Sequence, residues 1–83
     1  MKTAFVTGGS RGIGSAIALA LGKTFHVVVG FANSEDKAND VVKEIVAAGG
    51  SASTVQIDIS NAESVDNAFT RIEKKHNSVD VLI

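Results

Sequence analysis

Apolar positions along this chain follow two alternating rhythms. Short apolar runs bounded by glycine or polar turns give way to stretches in which apolar residues recur every three or four positions. Lys2 to Thr7 holds Ala4-Phe5-Val6 and closes on Thr7-Gly8-Gly9, which predicts a strand buried on both faces. From Gly12 onward Ile13, Ala16, Ile17, Ala20 and Leu21 form the stripe of a helix packed on one side. His26 to Phe31, with its run Val27-Val28-Val29, reads as a second buried strand. Asn33 or Ser34 can cap the next helix, Glu35 and Asp36 suit its positive end, and Ala38, Val41, Val42 and Ile45 form its inner stripe. Gly49-Gly50 should end it.

Ser53 to Ile59 predicts a third strand, with Val55, Ile57 and Ile59 alternating. Ser60-Asn61-Ala62-Glu63 has capping-box spacing, in which Ser60 accepts from the Glu63 amide at the start of a third helix with stripe Val65, Ala68, Phe69 and Ile72. After Asn77-Ser78, Val79 to Ile83 opens a fourth strand. The βαβαβαβ order implies an α/β fold with a parallel sheet. Right-handed crossovers predict a doubly wound sheet in the order 3-2-1-4, with a ligand crevice at the strands' carboxyl ends where the order reverses.

Composition narrows the function classes. The 83 residues are 45% hydrophobic and carry a net charge of -1, without cysteine, proline or tryptophan. No run approaches the roughly 18 apolar residues of a membrane span. Disulfides and thiolate metal sites are excluded, and there is no basic footprint for nucleic acid. The start, Met1-Lys2-Thr3-Ala4-Phe5, enters an apolar run too brief for a signal peptide, so a cytoplasmic location is expected. A chain of this length has a thin core but suits one unit, residues 1–83.

The turn Thr7-Gly8-Gly9-Ser10-Arg11-Gly12-Ile13-Gly14 joins the first strand to the first helix. Holding a pyrophosphate there requires a sharp turn, amides free of an obstructing Cβ, and a helix N-terminus aimed at the charge. Gly8 is assigned the turn, Gly12 the approach to phosphate, and Gly14 the close packing of helix on strand. Both histidines read as structural: His26 lies at the amino end of its strand and His76 at the tail of a helix stripe. No Ser-His-Asp or metal constellation is visible, so no residue is assigned a catalytic or metal-binding role.

Thr7 to Gly14 resembles the TGxxxGxG fingerprint of the short-chain dehydrogenase/reductase family. The similarity runs through Ala47-Ala48-Gly49-Gly50, Val55 to Ser60 and Val79 to Ile83, and is strongest to the 3-oxoacyl-acyl-carrier-protein reductases of that family. The link Gly22-Lys23-Thr24-Phe25-His26 lacks a glycine that the family often carries before the second strand. The resemblance implies a Rossmann-like fold binding a dinucleotide at Thr7, Gly8, Ser10, Arg11, Gly12, Ile13 and Gly14. Asp58 would accept from the adenine amino group, with Ile59 beside the ring.

An NAD reader usually carries an acid about 20 residues past the glycine turn. Gly30-Phe31-Ala32-Asn33-Ser34 has none, leaving Asn33 and Ser34 as neutral donors. Arg11 can add a charge-assisted bond to a 2′-phosphate, so NADP is the expected cofactor. The resemblance further implies carbonyl reduction, on a 3-oxoacyl thioester as in fatty-acid biosynthesis, by a homo-oligomer. The family's catalytic Ser and Tyr-x-x-x-Lys lie beyond the fourth strand, and this chain has no tyrosine. It is therefore expected to be the cofactor-binding first half of a reductase, inactive alone, with its fourth strand an apolar edge prone to self-association. A dinucleotide-sensing module without chemistry, or a sugar or alcohol dehydrogenase of the same family, would share these features.

Overall fold

In the computed structural model, which describes residues 2–10, 12–76 and 79–83, the elements are β1 (Thr3–Val6), α1 (Gly12–Leu21), β2 (His26–Phe31), α2 (Glu35–Ala47), β3 (Ser51–Gln56), α3 (Ala62–His76) and β4 (Val81–Leu82). All strand pairs are parallel, and the sheet runs β3-β2-β1-β4, the order expected from the sequence. The registers pair Thr3 with His26, His26 with Ser51, and Ala4 with Val81. Asp80 secures the short β4 pairing, its Oδ2 accepting from the Thr3 amide at 2.9 Å.

Because helices cover both faces, side chains of either parity along the central strands are buried, which is why β1 and β2 read as continuous apolar runs. On one face Val6, Val27, Val29 and Phe31 pack with Ala18 of α1 and Ala38, Val41 and Ile45 of α2. On the other, Phe5, Val28, Val55 and Ile57 pack with Ala68 and Ile72 of α3, and the rings of Phe5 and Phe69 meet edge-on at 5.4 Å. The α2 and α3 stripes match the expected positions. Helix α2 closes as a Schellman motif: Gly49, at φ +90°, donates to the Val46 carbonyl and Gly50 donates to that of Ile45.

Three expected boundaries or faces are corrected. The α1 stripe is rotated: Ile13 is 81% exposed and Ala16 and Ala20 are exposed, while Ala18 is buried with Ile17 and Leu21 beside it. This helix is apolar nearly all round, so residue size sets its phase, and small Gly14 and Ala18, one turn apart, take the close contacts. Strand β3 ends at Gln56 rather than Ile59, because its partner β2 ends at Phe31; the last bond runs from the Ile57 amide to the Phe31 carbonyl at 2.8 Å. The fourth strand is limited to Val81–Leu82, although Ile83 still donates to the Phe5 carbonyl. Asn77-Ser78, the expected turn before it, lies outside the described residues.

The histidines meet at the amino end of the sheet. The His26 ring lies between the hydroxyls of Ser51 and Ser53, bonding one through each nitrogen, and stacks on His76 with ring centroids 4.4 Å apart. Burial, then the charges of His76 and Lys75, lowers the His26 pKa from its ordinary 6.5. The folded chain thus favours the neutral ring more than the unfolded chain does, and its stability falls as pH drops below about 6.5 toward the lowered folded value. Urea unfolding is expected to show a lower midpoint at about pH 5.5 than at about pH 7.5, with the difference shrinking in His26→Asn.

Candidate functional site

The crevice at the carboxyl ends of the strands is built on the turn after β1. Its outer end is tied to the sheet by Thr7, whose amide and hydroxyl both donate to the Ile83 carbonyl, at 2.9 and 3.0 Å. The turn enters α1 through Gly12 at φ +52°, a left-handed conformation that costs an L side chain energy but glycine little. Two residues on, Gly14 presses the helix onto the turn: an added Cβ would lie 1.9 Å from the Gly8 carbonyl oxygen. Gly8 lies in the turn, but its φ is not positive and a Cβ there would meet no described residue within 4 Å, so the left-handed conformation falls on Gly12 and Gly8 contributes open space.

The helix that follows the turn has an N-terminus suited to an anion. Helices α2 and α3 carry acids in their first turns, Glu35 and Asp36 in one and Glu63 in the other, whereas α1 carries none. The positive end of the α1 dipole is therefore not offset by first-turn acids of its own.

A cleft of about 320 Å³ continues from the turn, lined by Thr7, Gly8, Ser10, Asn33, Ser34, Asp58 and Ile59 together with Gly30, Phe31, Ala32 and Ile57. Seven of the residues expected from the sequence thus share one wall system. Gly12, Ile13 and Gly14 do not line it, and Arg11 lies outside the described residues. Of the residues not singled out beforehand, Gly30 matters most: a Cβ there would stand 2.9 Å from the Thr7 carbonyl oxygen, so glycine lets β2 pass close beneath the turn. A glycine interrupting a β-branched strand was the available signal. Ser34 opens α2 and its carbonyl accepts from Ala38 at 3.1 Å, but its side chain makes no capping bond.

Asp58 sits where the chain leaves the sheet. Its Oδ1 accepts from the Ser60 hydroxyl at 2.6 Å and from the Ser60 amide at 3.0 Å. The hydroxyl bond first, and the amide bond second, hold the carboxyl below its ordinary 3.8, so Asp58 is an anion at neutral pH. This engagement overturns the expected capping box. With the Ser60 hydroxyl turned to Asp58, Asn61 caps α3 instead, its Oδ1 accepting from the Ser64 amide at 3.1 Å. Ile59, beyond the end of β3, is 74% exposed at the cleft rim.

The arrangement fits a dinucleotide: a glycine turn at a helix N-terminus, with Gly8 and Gly12 left open by the described residues, and a cleft from that turn with a carboxylate in its wall. Among the described residues no group of three or more His, Asp or Glu could hold a metal ion, and no helix is long and apolar enough to cross a membrane.

Comparison with known proteins agrees with this geometry. The family model for short chain dehydrogenase matches residues 2–83. A 3-oxoacyl-[acyl-carrier-protein] reductase of Synechocystis is 47% identical over 83 residues, covering 99% of this chain and 34% of the relative. A metagenomic short-chain oxidoreductase solved in complex with NADP superposes with a TM-score of 0.92 at 40% identity, over 98% of this chain and 37% of that one. The angucycline C-6 ketoreductase LanV with bound NADP gives 0.85 at 38% identity, over 98% of this chain and 34% of that one. The chain thus spans about a third of the length of the curated relatives it matches.

Proposed function

The chain belongs to the short-chain dehydrogenase family, and from that premise we propose that it is the cofactor-binding part of an NADP(H)-dependent oxidoreductase that reduces a carbonyl. The observation that carries this reading is the glycine turn, where Gly14 seats the helix on the turn while Gly8 and Gly12 leave its front open. In this reading the main-chain N–H groups of the turn and of the first turn of α1 hold the diphosphate. Asp58 accepts from the adenine amino group, and Ile59 covers the ring. Bound NADPH supplies the hydride that reduces the carbonyl carbon.

Cofactor choice follows from charge. No acid lies between Gly30 and Ser34, where one would repel a 2′-phosphate. Asn33 and Ser34 offer neutral contacts at the cleft wall, and Arg11 supplies positive charge from within the turn. Arg11→Ala is expected to weaken NADPH by roughly tenfold or more while leaving NADH within about twofold. Titration of both cofactors against both proteins checks this; equal losses would remove Arg11 as the reader of the 2′-phosphate.

The substrate proposed for the whole protein is a 3-oxoacyl thioester, in fatty-acid synthesis; support for this comes from curated relatives that are 3-oxoacyl-[acyl-carrier-protein] reductases. The groups that protonate the carbonyl oxygen are proposed to lie outside these residues. A cytoplasmic, homo-oligomeric enzyme completes the proposal. Turnover of a 3-oxoacyl thioester with NADPH by the protein carrying this chain tests the substrate; turnover of sugars or simple alcohols alone would reassign it within the family.

A further inference from the structure

We propose that Ser60 is a positioning residue for adenine recognition: it clamps one oxygen of Asp58 so that the other is left to accept from the 6-amino group. This rests on Asp58 being the adenine acceptor. Both Ser60 bonds, from its hydroxyl at 2.6 Å and its amide at 3.0 Å, end on Oδ1. No described residue donates to Oδ2. An ionised carboxylate has acceptor sites on both oxygens, so the clamp restricts the side chain without exhausting it.

The main chain at Asp58 is fixed as well. Its amide donates to the Ser64 hydroxyl at 2.8 Å, and Ser64 is held in turn by the Asn61 cap of α3. Asp58 is exposed to solvent, where water would satisfy a carboxylate without help. Holding it in one rotamer saves the freedom that it would otherwise lose when a base binds. Ser60 itself lines neither the cleft nor the neighbouring polar groove bordered by Asp58, Asn67 and Arg71, so it acts through Asp58.

The test compares NADPH with its hypoxanthine analogue, in which a 6-oxo group replaces the 6-amino donor, by titrating each into the full chain. Ser60→Ala is expected to reduce the preference for NADPH by about three- to tenfold, and Ser60→Thr, which keeps the hydroxyl, to hold it within about twofold. By NMR, the Asp58 carboxyl should titrate higher in Ser60→Ala than in the unaltered chain. A Ser60→Ala chain that weakens both ligands equally, while Asp58→Asn abolishes the preference, overturns the positioning role alone. An unchanged preference in Asp58→Asn, or no binding of NADPH by the unaltered chain, overturns the underlying reading and this inference with it.

Discussion

Replacing Gly14 with alanine is expected to cost the chain roughly 1–3 kcal/mol of stability and to remove measurable NADPH binding. The added carbon would lie 1.9 Å from the Gly8 carbonyl oxygen and 2.7 Å from the Gly8 carbonyl carbon, both main-chain atoms that no side-chain rotation can clear. Helix α1 would have to lift off the turn, which moves the amides that the diphosphate needs and loosens Ala18 from the core formed with Val6, Val27 and Val29. In a domain of this size that loss lowers the melting temperature by roughly 5–20 °C. Gly8→Ala is the matched control. Its Cβ would meet no described residue within 4 Å and its φ is not positive, so the melting temperature should stay close to that of the parent while NADPH affinity falls. Circular-dichroism melts and calorimetric titration of both variants distinguish the two effects. An unaltered melting temperature for Gly14→Ala would show that the helix does not seat as described.

The second large effect is expected at Gly12. A Cβ at Gly12 would meet no described residue within 4 Å, yet valine there must adopt φ +52°, where a β-branched residue is strained by roughly 1–3 kcal/mol. Gly12→Val should therefore lose both stability and NADPH binding, the latter because its branched side chain would occupy the open front of α1. Gly12→Ala isolates the backbone contribution, since it carries the same unfavourable φ with far less bulk. A Gly12→Val chain that binds NADPH as tightly as the parent would mean that phosphate does not approach this part of the turn.

Much of this was legible in the residues because the strongest signals are redundant. Val27-Val28-Val29 and the stripes of α2 and α3 each admit one reading, and right-handed crossovers then leave little choice of strand order. The seven cleft-lining residues expected from the sequence come together for the same reason: each lies at the carboxyl end of a strand or in the turn that follows it. The misreadings occur where chemistry competes at close range. In α1 the residues are apolar on every side, so hydrophobic pattern could not select the inner face, and the sizes of Gly14 and Ala18 decided it. At the end of β3, Ile59 continues an alternating pattern that has no strand left to pair with. At Ser60 the hydroxyl donates to the Asp58 carboxylate in a charge-assisted bond, and Asn61, one residue on and equally suited to an N-cap, supplies the cap of α3. The stacking of His26 on His76 joins residues 50 positions apart and left no local trace.

The most direct test is a crystal structure of the chain with NADPH. Density for the diphosphate is expected within hydrogen-bond distance of the main-chain nitrogens between Gly8 and Gly14, with the adenine amino group facing Asp58. A dinucleotide bound elsewhere, or a crevice filled by the chain's own side chains, would contradict the assignment.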